Sequence, residues 1–566
     1  MRTEYMDYEP VVQYSEVFGG KVSEEEFITR LSKLDGRQAI ATISRLLALH
    51  YATTGGDQGA IKINFGLRFC HCYKSVESKG GNATLYQSRK ILYSPQTLLL
   101  LTKWVLIYCK DTRLLRNIGM DDLLEIMDLS MIVNDLLPLD TDIEGHEIEY
   151  LYVTLYHNSH RLLKSQIGRS YYIFSKLMSE IASTKEFIED FQKNRGYSIE
   201  DYFAVLLNLL TQNYPSYDIT SFCGKNLMFT VNGFDAKQLK DVSPLVVDYL
   251  SEGWASFQEK AKQNLNKQWD FEVFFIKPLI RIQDTVQSIS EITLSYHFWE
   301  GLYWNIRFLY DNRDIKYLTE FGRPFEQYIQ WLARESVVAS NGRYTYQNEF
   351  LYNSQAGETL SSDAYIKIGQ SLIIFEAKAK SPHSKTLKGY DLEQIMLEVE
   401  ELIVDPVYQV NNRLKEILSL GDRFRESQEK AFFENVDNVI VLSVSMEKVQ
   451  PIGSLLYAAD NLLKCDSSKK RITVGLIKAY HNLNIEDFEA ICNLIGQGQD
   501  ISGILIDWFN GERQKNLTAI PLANYLLNNG YPYTCSDKLQ DIFSATTDEL
   551  YERTFGEKRG EIAWPN

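Results

Sequence analysis

The chain has 566 residues, 45% of them hydrophobic, and a formal charge of −16 at neutral pH; this length allows about two to four domains with sizeable cores. The composition excludes a disordered or low-complexity protein, and the negative balance excludes a broadly basic nucleic-acid binder, so contact with a polyanion must be local, metal-assisted or helped by a partner. Seven scattered cysteines suit a reducing cytoplasm rather than a disulfide framework, and the start MRTEYMDYEP lacks the basic and apolar regions of a signal peptide.

The first half reads as helical. Ser23 and Glu26 form a capping box ahead of Phe27, Ile28, Leu31 and Leu34, and Asp35-Gly36 stops that helix. A second helix carries Ile40, Ile43, Leu46, Leu47 and His50 and ends at 53–56. The loop TTGGDQG that follows has glycines but no Gly-Lys-Ser/Thr, so it is no phosphate cradle. Cys70-His71-Cys72 has no second Cys/His pair to complete a zinc site, and Lys79-Gly80-Gly81-Asn82 is a turn. Ser94 caps a helix with Pro95 at its first position. The apolar run 98–109 inside it is too short to span a bilayer and contains Lys103; it predicts a buried helix and no membrane. Further helices are predicted over 120–137, ended by Pro138, over 171–190, and over 198–212 opened by Ser198. His157 and His160, three apart, are half of a ligand set at best.

From 271 to 317 the composition turns aromatic, and Tyr296, Phe298, Trp299, Tyr303 and Trp304 are expected in a core, because no basic residues interleave them densely enough for a base-stacking platform. A helix follows over 324–336 with Glu326 in its first turns, then a strand over 344–352. Next come two strands, 359–368 and 371–379, joined by Gly369-Gln370, a pair suited to a type II′ turn. If Ile368 faces Ser371, counting back places Asp363 opposite Glu376, with Lys378 on the same face as Glu376. Like charges opposed across a ladder cost up to roughly 1 kcal/mol. The pair therefore asks for positive charge, and a divalent cation is the natural source. Glu376 ends the apolar run Leu372-Ile373-Ile374-Phe375, which reads as a buried central strand.

Beyond the hairpin, Lys380, Lys385 and Lys388 with His383 make a basic loop beside these acids, suited to phosphate contacts. A helix over 392–403 should break at Asp405-Pro406, with Asp405 capping another that carries Tyr408, Gln409, Asn412 and Arg413. The apolar runs 439–444 and 472–477 read as strands with a helix over 453–463 between them. A capped helix over 484–494, an apolar segment over 502–509, a short helix over 521–529 and a frayed tail from about Gly556 complete the chain.

Asp363, twelve intervening residues and Glu376-x-Lys378 resemble the signature of the PD-(D/E)XK nuclease superfamily, from about residue 321 to 412. Ser362 stands where that family often has proline. The resemblance implies a restriction-endonuclease-like α/β module, a mixed sheet flanked by helices in the order α, three strands, α, β, α, β. It implies that Asp363 and Glu376 hold Mg2+ or Mn2+, that Lys378 orients or activates a water and offsets phosphate charge, and that Glu326 reaches the metal. A helix glutamine near the scissile phosphate matches Gln409, with Gln394 as the rival; Lys380, Lys385, Lys388 and Arg413 would contact nucleic acid. The expected organisation is a mainly helical regulatory, assembly or partner-binding region at 1–270, an aromatic connector at 271–317, and the nuclease module with a helical extension at 318–566. This architecture is similar to that of bacterial restriction and antiphage-defence nucleases. It implies a magnesium-dependent endonuclease that cleaves DNA and that forms homo-oligomers or docks a protein partner through its helical half. The alternative is a binding or regulatory subunit that uses the fold as a scaffold.

Overall fold

The computed structural model describes residues 12–556 apart from 55–57, 88–91, 112–118, 137–145, 158–161, 214–227, 231–237, 266, 268, 283–284, 312, 314, 355–356, 383–385, 387–390, 421–423, 466 and 514–519. The glycines at 55–56, Pro138, His160 and the tail beyond Gly556 lie outside the described residues. The chain divides into two compact units, one of residues 1–163, 188–309 and 545–566, the other of 164–187 and 310–544.

The first unit is mainly helical, as its periodicity predicts. Ser23 accepts from the Glu26 backbone to open Glu24–Leu31, and Gly36 begins the next helix, Gly36–Thr54, rather than only ending the one before. Ser94 caps Pro95–Tyr108, whose residues from Leu98 to Leu101 are all buried. Lys103 is fully buried there, and its Nζ donates to the Lys267 carbonyl at 2.9 Å and the Asn264 carbonyl at 3.3 Å. Burial lowers its pKa to about 8. No helix among the described residues is long and apolar enough to cross a membrane. Cys72 closes a π-helical turn, Leu67–Cys72, and packs its sulfur 3.3 Å from that of Met127. Short strands β1 (Met228–Thr230), β2 (Ser251–Gly253), β3 (Leu279–Ile282) and β4 (Thr285–Ser288) form a sheet in the order β1-β4-β3-β2. Of the aromatic stripe, Phe298, Trp299 and Tyr303 are buried, while Trp304 is partly exposed and stacks on Phe308.

The second unit is built on a five-stranded mixed sheet, β11-β10-β9-β8-β5, from β5 (Thr345–Asn348), β8 (Ala364–Ile368), β9 (Ser371–Lys378), β10 (Asn438–Ser445) and β11 (Ile477–Asn484). β5, β8 and β9 run antiparallel; β9, β10 and β11 are parallel. Between β5 and β8, strands β6 (Leu351–Ser354) and β7 (Gly357–Leu360) pair as a separate ribbon. The long strands expected over 344–352 and 359–368 are therefore each interrupted. The break is stitched by the Ser361 backbone donating to the Phe350 carbonyl at 2.9 Å and by the Phe350 backbone donating to the Ser361 hydroxyl at 3.0 Å.

Helices cover both faces of this sheet. Phe375 points to Phe488 of α5 (Ile485–Gly496), which packs with α1 (Gly322–Ala339). Glu376, one residue on and so on the other face, points to α3 (Asp405–Leu418). The expected break at Asp405-Pro406 does not occur: α2 (Leu392–Val399) runs through a π-helical segment, Glu400–Val404, straight into α3. Proline has no N–H and its ring crowds the carbonyl four residues back; a π turn ahead of it relieves that clash without ending the helix. Asp405 is accordingly helical, not a cap, and pairs with Lys470. The run 472–477 is not a strand until its last residue; Thr473 and Val474 instead donate their backbone N–H groups to Asn411 Oδ1. Between β10 and β11 lies α4 (Gly453–Lys464); after α5 comes α6 (Ile501–Arg513).

Candidate active site

The hairpin register is the one that turn chemistry predicts. Ile368 pairs with Ser371 and Ala364 with Phe375, so Asp363, one residue beyond the ladder, faces Glu376. Gly369 has φ +56° and Gln370 is not in the left-handed region, as a II′ turn requires. Asp363 Oδ2 accepts from the Ala377 backbone at 2.5 Å, which fixes the carboxylate beside the end of β9. The Ser362 backbone N–H donates to the Tyr365 hydroxyl at 2.8 Å, a bond that proline at this position could not make.

Glu376 is only 3% exposed, and both its oxygens are engaged. Arg413 Nη1 lies 3.1 Å from Oε1 and 2.9 Å from Oε2, and Lys378 Nζ donates to Oε1 at 3.1 Å. Lys378 also donates to Gln409 Oε1 at 3.2 Å. Gln409 and Arg413 stand four residues apart on α3 and therefore on one helix face, which meets the end of β9. Gln409, not Gln394, is the glutamine at this cluster; Gln394 lies in the first turn of α2, its backbone N–H bonded to the cap Asp391.

Two more acids face the pair. Burial, then Glu349 and Glu376, raise the pKa of Glu326 on α1. Glu349 lies between β5 and β6, and burial raises its pKa, with Arg413 opposing and Glu376 adding to the rise. Asp363 is pushed well above the ordinary carboxyl range, first by burial and then by Glu376. Gln330, one turn beyond Glu326, donates to the Asp363 carbonyl at 3.1 Å. Glu349 was not a sequence candidate. Its signal was the pairing of 344–352 with 359–368, which puts Glu349 beside Ser362 once Phe350 is set opposite Ser361.

Of the remaining candidates, Lys380 falls outside this cluster. Lys380 pairs with Glu401 at 3.1 Å, both exposed, and Lys385 and Lys388 lie outside the described residues. Arg413, expected on nucleic acid, is bound to Glu376. An open cavity of about 440 Å³, lined in part by Arg343, Ile368, Ser371, Asn438 and Asp500, sits at the opposite, hairpin end of the strands.

The donor set suits a hard divalent cation in chemistry and charge. Asp363, Glu376, Glu326 and Glu349 against Lys378 and Arg413 leave a formal excess of two negative charges. Carboxylate oxygens are the ligands such an ion prefers. Ser443 pairs in register with Glu376, and its buried hydroxyl has no hydrogen-bond partner among the described residues. As posed, however, no three His, Cys, Asp or Glu side chains among the described residues gather closely enough to hold one ion. Arg413 also occupies both oxygens of Glu376. No family model, no curated protein and no solved structure matches this chain, so the chemistry of the cluster is read from its own groups.

Proposed function

We propose that the second unit is a divalent-metal-dependent phosphodiester hydrolase that cuts DNA, in the setting of bacterial restriction or antiphage defence. The observation that carries this reading is the meeting of Asp363 and Glu376 at the end of the sheet with Lys378 on Glu376 and Gln409 on Lys378. Asp363 and Glu376 would hold Mg2+ or Mn2+, with Glu326 at the periphery. Such an ion, when bound, supplies Lewis-acid stabilisation of charge on the phosphate oxygens. Lys378, a quarter exposed, orients a water toward the scissile phosphate and offsets its charge. Gln409 fixes the Lys378 rotamer. Lys380, Lys385 and Lys388 reach flanking phosphates, and the helical unit assembles copies or docks a partner that delivers substrate, which a chain of charge −16 needs.

The full chain incubated with supercoiled plasmid should nick or linearise it with Mg2+ or Mn2+ and stop on chelation. The engagement of both Glu376 oxygens favours a second reading, in which the fold is a scaffold in a binding or regulatory subunit. Plasmid left intact at every metal and protein concentration would select that reading.

A further inference from the structure

We infer that Arg413 is an internal stand-in for the metal ion: it neutralises Glu376 while the site is empty of metal, and must leave Glu376 before an ion can take those oxygens. Its guanidinium is then free to meet the substrate phosphate. The inference rests on the reading of Asp363 and Glu376 as an ion site.

Three features support an exchange rather than a fixed ion pair. The first is geometry. Arg413 uses Nη1 alone for both Glu376 oxygens, while Nε and Nη2 make no hydrogen bond among the described residues. A structural arginine ordinarily meets a carboxylate with two nitrogens in a fork, and this one leaves its other edge open to a second anion. The second is freedom to move. The Arg413 side chain is 21% exposed and is carried on the outer end of a long arm from α3, so it can turn out without a shift of backbone. The third is charge. A divalent cation needs the Glu376 oxygens that Arg413 holds, and the guanidinium repels it there, because like charges at that spacing repel strongly in a poorly solvated site. Lys378 is different: Gln409 holds it from the far side, so it keeps its place when Arg413 leaves.

Exchange couples two binding events. An ion that evicts Arg413 presents a cation to the substrate phosphate, and a phosphate that captures Arg413 opens Glu376 to the ion. The coupling is reciprocal by linkage. It also makes the ion bind more weakly in the absence of substrate than the acids alone would allow.

The test is a titration of the full-length protein with Mn2+, followed by the loss of the free-ion electron paramagnetic resonance signal, so that no turnover is needed. Arg413→Gln should bind Mn2+ roughly tenfold more tightly than wild type, a size ordinary for coupled sites, and Arg413→Lys should fall between the two. Arg413→Gln should also melt lower than wild type in chelator and regain more than wild type on adding Mn2+. Glu376→Gln is the control for the ion site itself. If Glu376→Gln leaves Mn2+ binding intact, the ion-site reading fails. If Glu376→Gln abolishes binding but Arg413→Gln binds Mn2+ no more tightly than wild type, the ion-site reading stands and the exchange is overturned. Should Arg413→Gln fail to fold, Arg413→Lys decides alone, tighter binding supporting exchange and equal or weaker binding refuting it.

Discussion

At the scale of the residue, the cluster is set by what each buried charge faces. Lys378 touches both Glu376 and Gln409, so Glu376→Gln and Lys378→Ala should each lower plasmid cleavage by roughly a hundredfold or more, with far-ultraviolet circular dichroism unchanged. Cleavage at near wild-type rate in either variant would remove the site from this cluster. Asp363 makes a separate prediction through pH. An acid whose pKa is raised on folding keeps a proton that the unfolded chain has lost. Its stabilising contribution is full below the ordinary aspartate value of about 3.9 and fades as pH rises through the folded value. In chelator, wild type should therefore lose more melting temperature between pH 4 and 8 than Asp363→Asn, which keeps the bond from the Ala377 backbone but carries no charge. Parallel melting curves for the two proteins would show that Asp363 is ionised at little cost. The acid pair was legible in the sequence because a two-residue turn fixes register. The occupation of Glu376 by Arg413 was not, since it depends on which face α3 turns to the sheet.

At the scale of the element, local chemistry settled what it controls directly and tertiary pairing settled the rest. Ser23, Ser94, Ser198 and Asn484 each accept a backbone N–H where a cap was expected. The phase of α3 was hidden, because Pro406 reads as a stop unless a π segment precedes it. That segment turns Gln409 and Arg413 toward β9, so the same irregularity that misled the reading positions the site. β11 was hidden for another reason. IKAYHNLN is polar for a strand, but its polar groups are answered: His481 by the Leu505 carbonyl, Asn482 by Ser445, Asn484 by Glu447. The hairpin turn carries its own prediction. At φ +56°, Gly369→Ala places a side chain in the left-handed region and should cost about 1–2 kcal/mol, read as a lower denaturation midpoint with an unchanged slope. A slope change would mean that the register slipped.

At the scale of the whole molecule, the division between units does not follow a single cut in the chain. Residues 164–187, from the helical half, belong to the unit that holds the site. Arg169 there is fully buried, bonded to Glu489 at 2.9 Å and to Glu486 at 3.2 Å, and Tyr328 of α1 also donates to Glu489, at 2.6 Å. Removing one partner of a buried ion pair costs about 3–5 kcal/mol. A fragment of residues 270–566 or 310–544 should then fail to give a cooperative thermal transition, and Arg169→Ala in the full chain should be destabilised by a similar amount. A fragment of 310–544 that melts cooperatively without 164–187 would overturn this. The dispersed connectivity also has a consequence for synthesis on the ribosome. Arg169 leaves the exit tunnel 320 residues before Glu489, a wait of roughly 16 to 64 s at ordinary elongation rates of about 5–20 residues per second. The helical unit, whose last segment is 545–566, is completed later still. Every nascent chain therefore passes through a long interval in which Arg169 has not met Glu486 and Glu489 of α5, and a pause or truncation in translation leaves an unassembled unit rather than a loose enzyme.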